Sequence, residues 1–112
     1  MQIANLPTDI LRAFVSVIDL GGYTKAASTL GRSQPAISLQ IRKLEELVGL
    51  KLMNTSGRTI VLTREGENLA RYARQLLVMN DEIVARLQKK ESAGSLRVGL
   101  PTDYAISFFQ TA

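Results

Sequence analysis

The residue types that most clearly indicate a chemical role lie in the stretch QPAISLQIRK, residues 34–43. At about 100° per residue, a helix through this stretch would put Ile37 and Ile41 on one apolar stripe. Amide, small and basic side chains would then occupy the opposite side. Such a helix fits the DNA major groove, where these groups contact the edges of bases. The pattern therefore predicts a helix that reads DNA.

Three side chains on the outward face have distinct capacities. Gln34 carries an amide that can pair with N6 and N7 of adenine, unless it is simply a solvated amide. Ser38 suits a base or a phosphate, although exposed helical serines often have no role. Leu39 lies almost opposite Ile37 and Ile41, which leads to the hypothesis that it packs on a thymine methyl group. The alternative is a surface leucine without a function.

Basic residues surround this predicted helix and favour contacts with DNA phosphates. The chain carries a net charge of +4, and residues 1–66 account for +3 of it. Basic side chains are often only solvated, so charge alone does not establish a partner. Arg58, in a turn that contains glycine, would suit a narrow minor groove, or would be an ordinary exposed arginine. The predicted phosphate contacts are Lys25, Arg32, Arg42 and Lys43.

Three helices and a β-hairpin are predicted to position these residues. The first helix begins near Pro7 or Thr8 and ends at Gly21-Gly22, because proline suits a first turn and glycine a C-terminus. The remaining elements are a helix that Thr24 caps and Gly31 ends, a helix at 34–48 that Ser33 caps, strands at 50–53 and 59–62, and a turn at 54–58. This order predicts a mainly α fold, a winged helix-turn-helix domain over residues 1–63.

A long helix is predicted over residues 64–90, with Thr63 as its N-cap. Its heptad-like seam cannot be buried on a small domain, and therefore predicts a homodimer. The alternative is that the stripe packs back on the winged domain. Asn80 would either pair across the dimer or remain partly exposed. The predicted interface comprises Leu69, Ala73, Leu76, Asn80, Ile83 and Leu87.

The last part of the chain predicts the beginning of a second domain. Small residues at 91–95 indicate a hinge, and LRVGL at 96–100 alternates as one strand does. One strand and the start of a helix cannot form a stable sheet. Residues 96–112 are therefore expected to be a truncated piece of a larger domain.

Composition excludes several kinds of function. The chain has no cysteine and no histidine, so disulfides and thiolate or imidazole metal sites are excluded, and the commonest catalytic base is missing. We expect no metal, no cofactor and no enzyme activity. The N-terminus lacks the pattern of a signal peptide, and no stretch is apolar enough to span a membrane. The expected location is the cytoplasm.

Residues 14–66 resemble the N-terminal domain of LysR-type transcriptional regulators. The resemblance keeps its register over about sixty residues, and Leu39 stands where arginine or another polar residue is usual. The long helix and the LRVGL strand also lie where these regulators have a linker helix and an effector-binding domain. The matching motifs are Ala26-Ala27, Ser33-Gln34-Pro35-Ala36-Ile37-Ser38, Gln40-Ile41, Leu44-Glu45, Gly49-Leu50-Lys51-Leu52, and Leu62-Thr63 with Gly66.

The resemblance implies a bacterial transcription factor that binds double-stranded DNA as a dimer, or as a tetramer when full length. It implies control by a small molecule, bound only by a domain that this chain lacks. It assigns Gln34, Pro35, Ser38 and Leu39 to base reading. It assigns Thr24, Lys25 and Arg42 to the DNA backbone, and Arg58 to the minor groove.

Two other functions remain open at this point. A molybdate-responsive type of regulator has a similar N-terminal domain, although LRVGL followed by PTDYA favours the LysR type. A winged-helix protein-interaction module with a coiled-coil arm would not bind DNA. Salt-dependent DNA binding separates that module from a regulator.

Overall fold

The computed structural model describes residues 4–56 and 59–92, and it divides the chain into two compact units, Met1–Gln75 and Leu76–Ala112. The predicted order of three helices, a hairpin and a long helix is confirmed. Arg58, residues 93–95 of the expected hinge, and the expected second domain at 96–112 lie outside the described residues. The elements are α1 (Thr8–Leu20), α2 (Tyr23–Leu30), α3 (Gln34–Val48), β1 (Met53–Ser56), β2 (Thr59–Leu62) and α4 (Arg64–Ser92).

The core of the first unit is formed mainly by α1 and α3. Phe14, Leu11 and Val17 of α1 are fully buried, together with Ile37 and Leu44 of α3. Helix α1 ends at Gly21, whose φ of +79° is the left-handed conformation that glycine adopts without strain. Its N–H donates to the carbonyl of Val17 at 3.0 Å. This packing holds α3 by its apolar stripe and leaves the opposite side of the helix outside the core.

Helix α2 begins one residue earlier than its predicted cap. Gly22 occupies the N-cap, and no described side chain caps the helix, so the prediction that Thr24 is the cap is wrong. The carbonyl of Gly22 accepts a hydrogen bond from the N–H of Ala26 at 3.3 Å. Ala26 and Ala27 are buried, and these small side chains allow α2 to pack closely against α1 and α3.

Helix α3 has the predicted bounds because both of its ends are capped. The Ser33 hydroxyl accepts a hydrogen bond from the N–H of Ala36 at 3.2 Å. Pro35 lies in the first turn, where a missing N–H costs nothing. Gly49 ends the helix in the left-handed conformation, with φ of +72°. The predicted apolar stripe is Ile37, Ile41, Leu44 and Val48; the first three are buried and Val48, at its C-terminal end, is half-buried.

The hairpin differs from its prediction in the first strand. Strand β1 begins at Met53 rather than at Leu50, and antiparallel pairing runs from Met53 opposite Leu62 to Ser56 opposite Thr59. Before the strand, the N–H groups of Leu50 and Leu52 donate to Glu45, and the carbonyls of Lys51 and Leu52 accept from Thr63. Residues 54–56, predicted to lie in the turn, are part of the strand.

Helix α4 is capped at its N-terminus as predicted. The Thr63 hydroxyl accepts a hydrogen bond from the N–H of Gly66 at 3.0 Å. The helix remains intact through Ser92, so the first two residues of the expected hinge are helical. Ala73, assigned to the dimer seam by its spacing, is 0% exposed within this single chain. That assignment is corrected: Ala73 is a core residue, because α4 turns Ala70 and Ala73 into the protein interior.

Candidate nucleic-acid interface

The outward side of α3 presents the predicted reading residues together. Gln34, Pro35 and Leu39 are exposed, Ser38 is half-buried, and Arg42 is exposed one turn after Ser38. Leu39 is 51% exposed although it is apolar. The buried stripe of the same helix fixes which side chains point outward, so this face is determined by the core. The structure therefore agrees with the predicted placement, and the roles of these residues remain predictions.

The predicted phosphate-contacting residues lie at the ends of α2 and along α3. Thr24 and Lys25 are exposed in the first turn of α2, where backbone N–H groups and the helix dipole suit an anion. Arg32 is exposed in the turn between α2 and α3, and Arg42 and Lys43 are exposed on α3. All five are therefore accessible to a partner.

A polar groove separates α3 from β1, and sequence reasoning missed it. It is a cavity of about 390 Å³, and the residues that line it include Arg42, Lys51, Asn54 and Thr55. Ser38 and Arg42, which also line it, were predicted to contact DNA, whereas Lys51, Asn54 and Thr55 were not. Lys51 and Asn54 gave no signal because helical or strand spacing does not show that β1 lies beside α3. The groove adds a second cation, Lys51, next to the reading face.

Tyr23 closes one side of this groove. Its hydroxyl donates to the sulfur of Met53 at 3.5 Å, which joins the start of α2 to β1. Burial raises the pKa of Tyr23, the negative charge of Glu45 raises it further, and the positive charge of Arg42 partly opposes both. The phenol therefore remains protonated at neutral pH and keeps its donor.

The predicted dimer residues on α4 differ in their exposure. Leu76 is 49% and Leu87 is 51% exposed, whereas Leu69, Asn80 and Ile83 are half-buried. The amide of Asn80 donates to the carboxylate of Asp81 at 3.2 Å, so its side chain is partly satisfied on its own helix. With Ala73 removed from the set, the remaining five residues are available to a partner.

Three helices followed by a two-stranded hairpin, with α3 exposed beside that hairpin, define the chain as a winged helix-turn-helix protein. Residues 8–67 match the family model described as bacterial regulatory helix-turn-helix protein, lysR family. This match spans more than half of the chain, and the chain belongs to that family.

Relatives in the same family match nearly the whole chain. It is 38% identical over 104 residues to the HTH-type transcriptional regulator DgdR of Burkholderia cepacia, covering 93% of this chain and 35% of that protein. It is 40% identical over 103 residues to the HTH-type transcriptional regulator PecT of Dickeya dadantii, covering 92% and 33%. The chain thus spans about a third of the length of these curated relatives.

Solved structures include similar domains bound to DNA. The BenM_DBD complex with catB site 1 DNA superposes with a TM-score of 0.73 at 36% identity, covering 78% of this chain and 97% of that one. Vibrio fischeri DarR in complex with DNA gives a TM-score of 0.72 at 27% identity, covering 79% and 30%. These matches confirm the predicted fold and the resemblance to LysR-type regulators.

Two further features of residues 4–56 and 59–92 bear on the kind of site. No helix there is both long enough and apolar enough to cross a bilayer. No group of three or more acidic, histidine or cysteine side chains within these ranges is arranged to hold a metal ion.

Proposed function

We propose that this chain is the DNA-binding part of a LysR-type transcriptional regulator, and that it recognises specific duplex sequences as a dimer. The observation that carries the proposal is the face of α3, where Gln34, Leu39 and Arg42 are exposed opposite the buried Ile37 and Ile41. The family match favours this class over a molybdate-responsive regulator. The proposal also entails a role in the cytoplasm and no catalysis.

Base recognition is assigned to the first two turns of α3. Gln34 would pair with an adenine edge, Ser38 would contact a base or a phosphate, and Leu39 would pack on a thymine methyl group. Pro35 lies between them and would bring the helix backbone close to the bases. These contacts determine sequence preference because each depends on the pattern of groups in the major groove.

Backbone contacts are assigned to Thr24, Lys25, Arg32, Arg42 and Lys43. Neutralising any one of the four basic residues in this set should weaken binding to all sequences alike, because phosphates carry no sequence information. Arg42→Gln should lower the slope of log affinity against log salt by about one. A loss confined to certain sequences would contradict this role. Arg58 is proposed to enter the minor groove beside the site.

Dimerisation is assigned to α4, at the exposed Leu76 and Leu87 and the half-buried Leu69, Asn80 and Ile83. These residues would meet the same residues of a second chain, because apolar side chains at heptad-like spacing favour a helical partner. Two linked copies would bind two half-sites with higher avidity than one. A tetramer and a small-molecule effector are proposed only for a longer protein with an effector-binding domain.

Selection of duplexes from a random pool, followed by mobility shifts over a salt series, tests the function. The expected result is an enriched inverted repeat and an affinity that falls steeply with salt. A protein-interaction module would show neither. Binding that is salt-dependent but without sequence enrichment would support DNA contact and contradict base reading by α3.

A further inference from the structure

Glu45 holds one side of the connection between α3, the reading helix, and β1, the first strand of the hairpin that forms the wing. Its backbone carbonyl accepts hydrogen bonds from the N–H groups of Gly49 at 2.8 Å and Leu50 at 3.3 Å. Its carboxylate Oε2 accepts from the N–H of Leu52 at 2.8 Å and of Met53 at 3.4 Å. Four backbone donors between the end of the reading helix and the start of the wing are therefore satisfied by one residue.

The other side of this connection is held by Thr63. Its N–H donates to the carbonyl of Leu52 at 3.0 Å, and its hydroxyl donates to the carbonyl of Lys51 at 2.6 Å. Leu52 itself is 1% exposed and anchors the connection in the core. The segment is thus bonded on both sides, and the carboxylate of Glu45 joins it to the reading helix.

The negative charge of Glu45 would by itself weaken DNA binding. Its carboxylate lines the polar groove with Arg42 and Lys51, beside the face that would approach a polyanion. A negative charge there repels phosphates, and a freely solvated carboxylate would only weaken binding. A carboxylate that accepts backbone N–H groups forms the stronger, charge-assisted kind of hydrogen bond. Orientation of the wing is a benefit that can offset the repulsion.

We propose that Glu45 is a positioning residue for DNA recognition. Its carboxylate fixes β1, and with it the wing, against α3, so that the major-groove helix and the wing engage one duplex without first being ordered. A wing that is loose before binding must be ordered during binding, and this cost reduces affinity. The inference deepens the proposed function and rests on it.

Two substitutions separate the reach of the side chain from its charge. Glu45→Asp keeps the charge but shortens the side chain by one methylene, so the carboxylate withdraws from Leu52 and Met53. Glu45→Gln keeps the length and a carbonyl acceptor but removes the charge. Glu46 is adjacent, exposed and outside the described hydrogen bonds, so Glu46→Asp and Glu46→Gln are matched controls.

Affinity for the selected duplex is measured with the 112-residue chain after thermal unfolding has shown that each variant is folded at the assay temperature. Glu45→Asp should bind about tenfold more weakly. Glu45→Gln should remain within about threefold of the unsubstituted chain, because its weaker, neutral hydrogen bonds are offset by removal of a negative charge that repels phosphates. Both Glu46 variants should also remain within that range. If Glu45→Asp binds as well as Glu46→Asp, or is unfolded, the proposal is overturned, because Glu45 would then have either no role or only a stabilising one.

Methylation of the bound duplex by dimethyl sulfate provides a readout that general destabilisation would not produce. The reagent modifies guanine N7 in the major groove and adenine N3 in the minor groove, so one experiment reports on both contacts. At saturating protein, Glu45→Asp should retain protection of guanine N7 and lose protection of adenine N3 beside the site. Equal loss of protection in both grooves would overturn the proposal.

The two proposals fail in different ways. If the unsubstituted chain and the Glu46 variants bind no duplex, the DNA-binding function itself is wrong. If they bind and protect both grooves while Glu45→Asp behaves as they do, the function stands and only the positioning role of Glu45 is wrong.

Discussion

Helices α3 and α4 are both amphipathic, but they use their apolar residues differently. In α3 the apolar stripe is buried, with Ile37 and Leu44 fully inaccessible; Leu39 is exposed on the opposite side of the helix, and Leu47 is 40% exposed near its end. In α4, from Leu76 onward, large apolar side chains remain about half exposed; they are Leu76, Val78, Val84 and Leu87.

The difference indicates two kinds of partner. A helix whose apolar side is satisfied internally, and whose outer face carries amide and basic groups, is suited to a polar, charged ligand such as DNA. A helix that keeps large apolar side chains exposed along its length is suited to another apolar helix. In the proposed regulator, α3 would therefore recognise DNA and α4 would form the dimer.

The largest expected effect comes from placing a charge in the proposed dimer interface on α4. Leu76→Glu would bury an unpaired carboxylate in the proposed interface, at a cost of several kcal/mol, and should weaken the dimer at least about 100-fold. Sedimentation equilibrium measures the change. Val78→Glu is the matched control, because Val78 is 58% exposed but lies about 200° around the helix from Leu76. Equal behaviour of the two variants would contradict the seam.

A second substitution tests the close approach of Gly66, in α4, to Leu52, in the connection between α3 and β1. A Cβ atom added at Gly66 would lie 1.9 Å from the carbonyl oxygen of Leu52, which is far inside contact distance. Gly66→Ala should therefore lower the free energy of unfolding by about 1–3 kcal/mol in urea denaturation. At Gly22, no described atom lies within 4 Å of the added Cβ, so Gly22→Ala is the control. Gly22 is the N-cap of α2, where alanine is disfavoured, so only the loss at Gly66 beyond the loss at Gly22 is assigned to the close approach. Similar losses at both positions would argue against this close approach.

Leu39, the exposed leucine opposite the buried stripe of α3, provides a third prediction with a smaller expected effect. If Leu39 packs on a thymine methyl group, replacing thymine by deoxyuridine in the site should cost the unsubstituted chain about 1 kcal/mol, the value of one buried methyl. In Leu39→Ala, the two duplexes should bind alike. Leu50→Ala removes a leucine that is also half exposed but lies beyond the end of α3, and it should preserve the discrimination. Discrimination that persists in Leu39→Ala would make Leu39 a surface residue without this role.

The contrast between the helices also explains what the sequence could predict. The bounds of α3 were predictable because Ser33 and Gly49 supply local caps, and its outward face followed from the spacing of its apolar residues. The start of β1 was not predictable in this way. Residues 50–52 alternate as a strand does, but the carboxylate of Glu45 and the hydroxyl of Thr63 bond this segment instead. Such tertiary hydrogen bonds leave no periodic signal.

The burial of α4 was predictable only in part. The heptad-like spacing of Leu69, Leu76 and Ile83 was visible, but the same spacing also included Ala73, which is buried in the domain. Gly66, Ala70 and Ala73 form a second stripe of small residues, and hydrophobicity alone does not distinguish it from a dimer seam. Small side chains indicate close packing without identifying the partner.

The smallest expected effect concerns how the first part of α4 is held on α1. Both guanidinium nitrogens of Arg74 donate to the carboxylate of Asp19, at 2.5 and 3.0 Å, and both side chains are about half exposed. The hydrogen bond from Arg74 lowers the pKa of Asp19 below its usual 3.8; burial opposes this shift, and the charge of Arg74 adds to it. A lowered folded-state pKa gives stability that is present above the unfolded value and is lost as pH falls through the folded value.

Asp19→Asn should therefore destabilise the chain by at most about 1 kcal/mol at neutral pH, because exposed ion pairs contribute little. The difference should shrink as the pH falls below the usual pKa of aspartate, where the unsubstituted carboxyl also becomes neutral. Urea denaturation at neutral and acidic pH measures it, with Glu82→Gln as an exposed carboxylate control. A difference that stays constant with pH would assign the effect to packing of Asp19, and α4 would then be held on α1 without help from this charge.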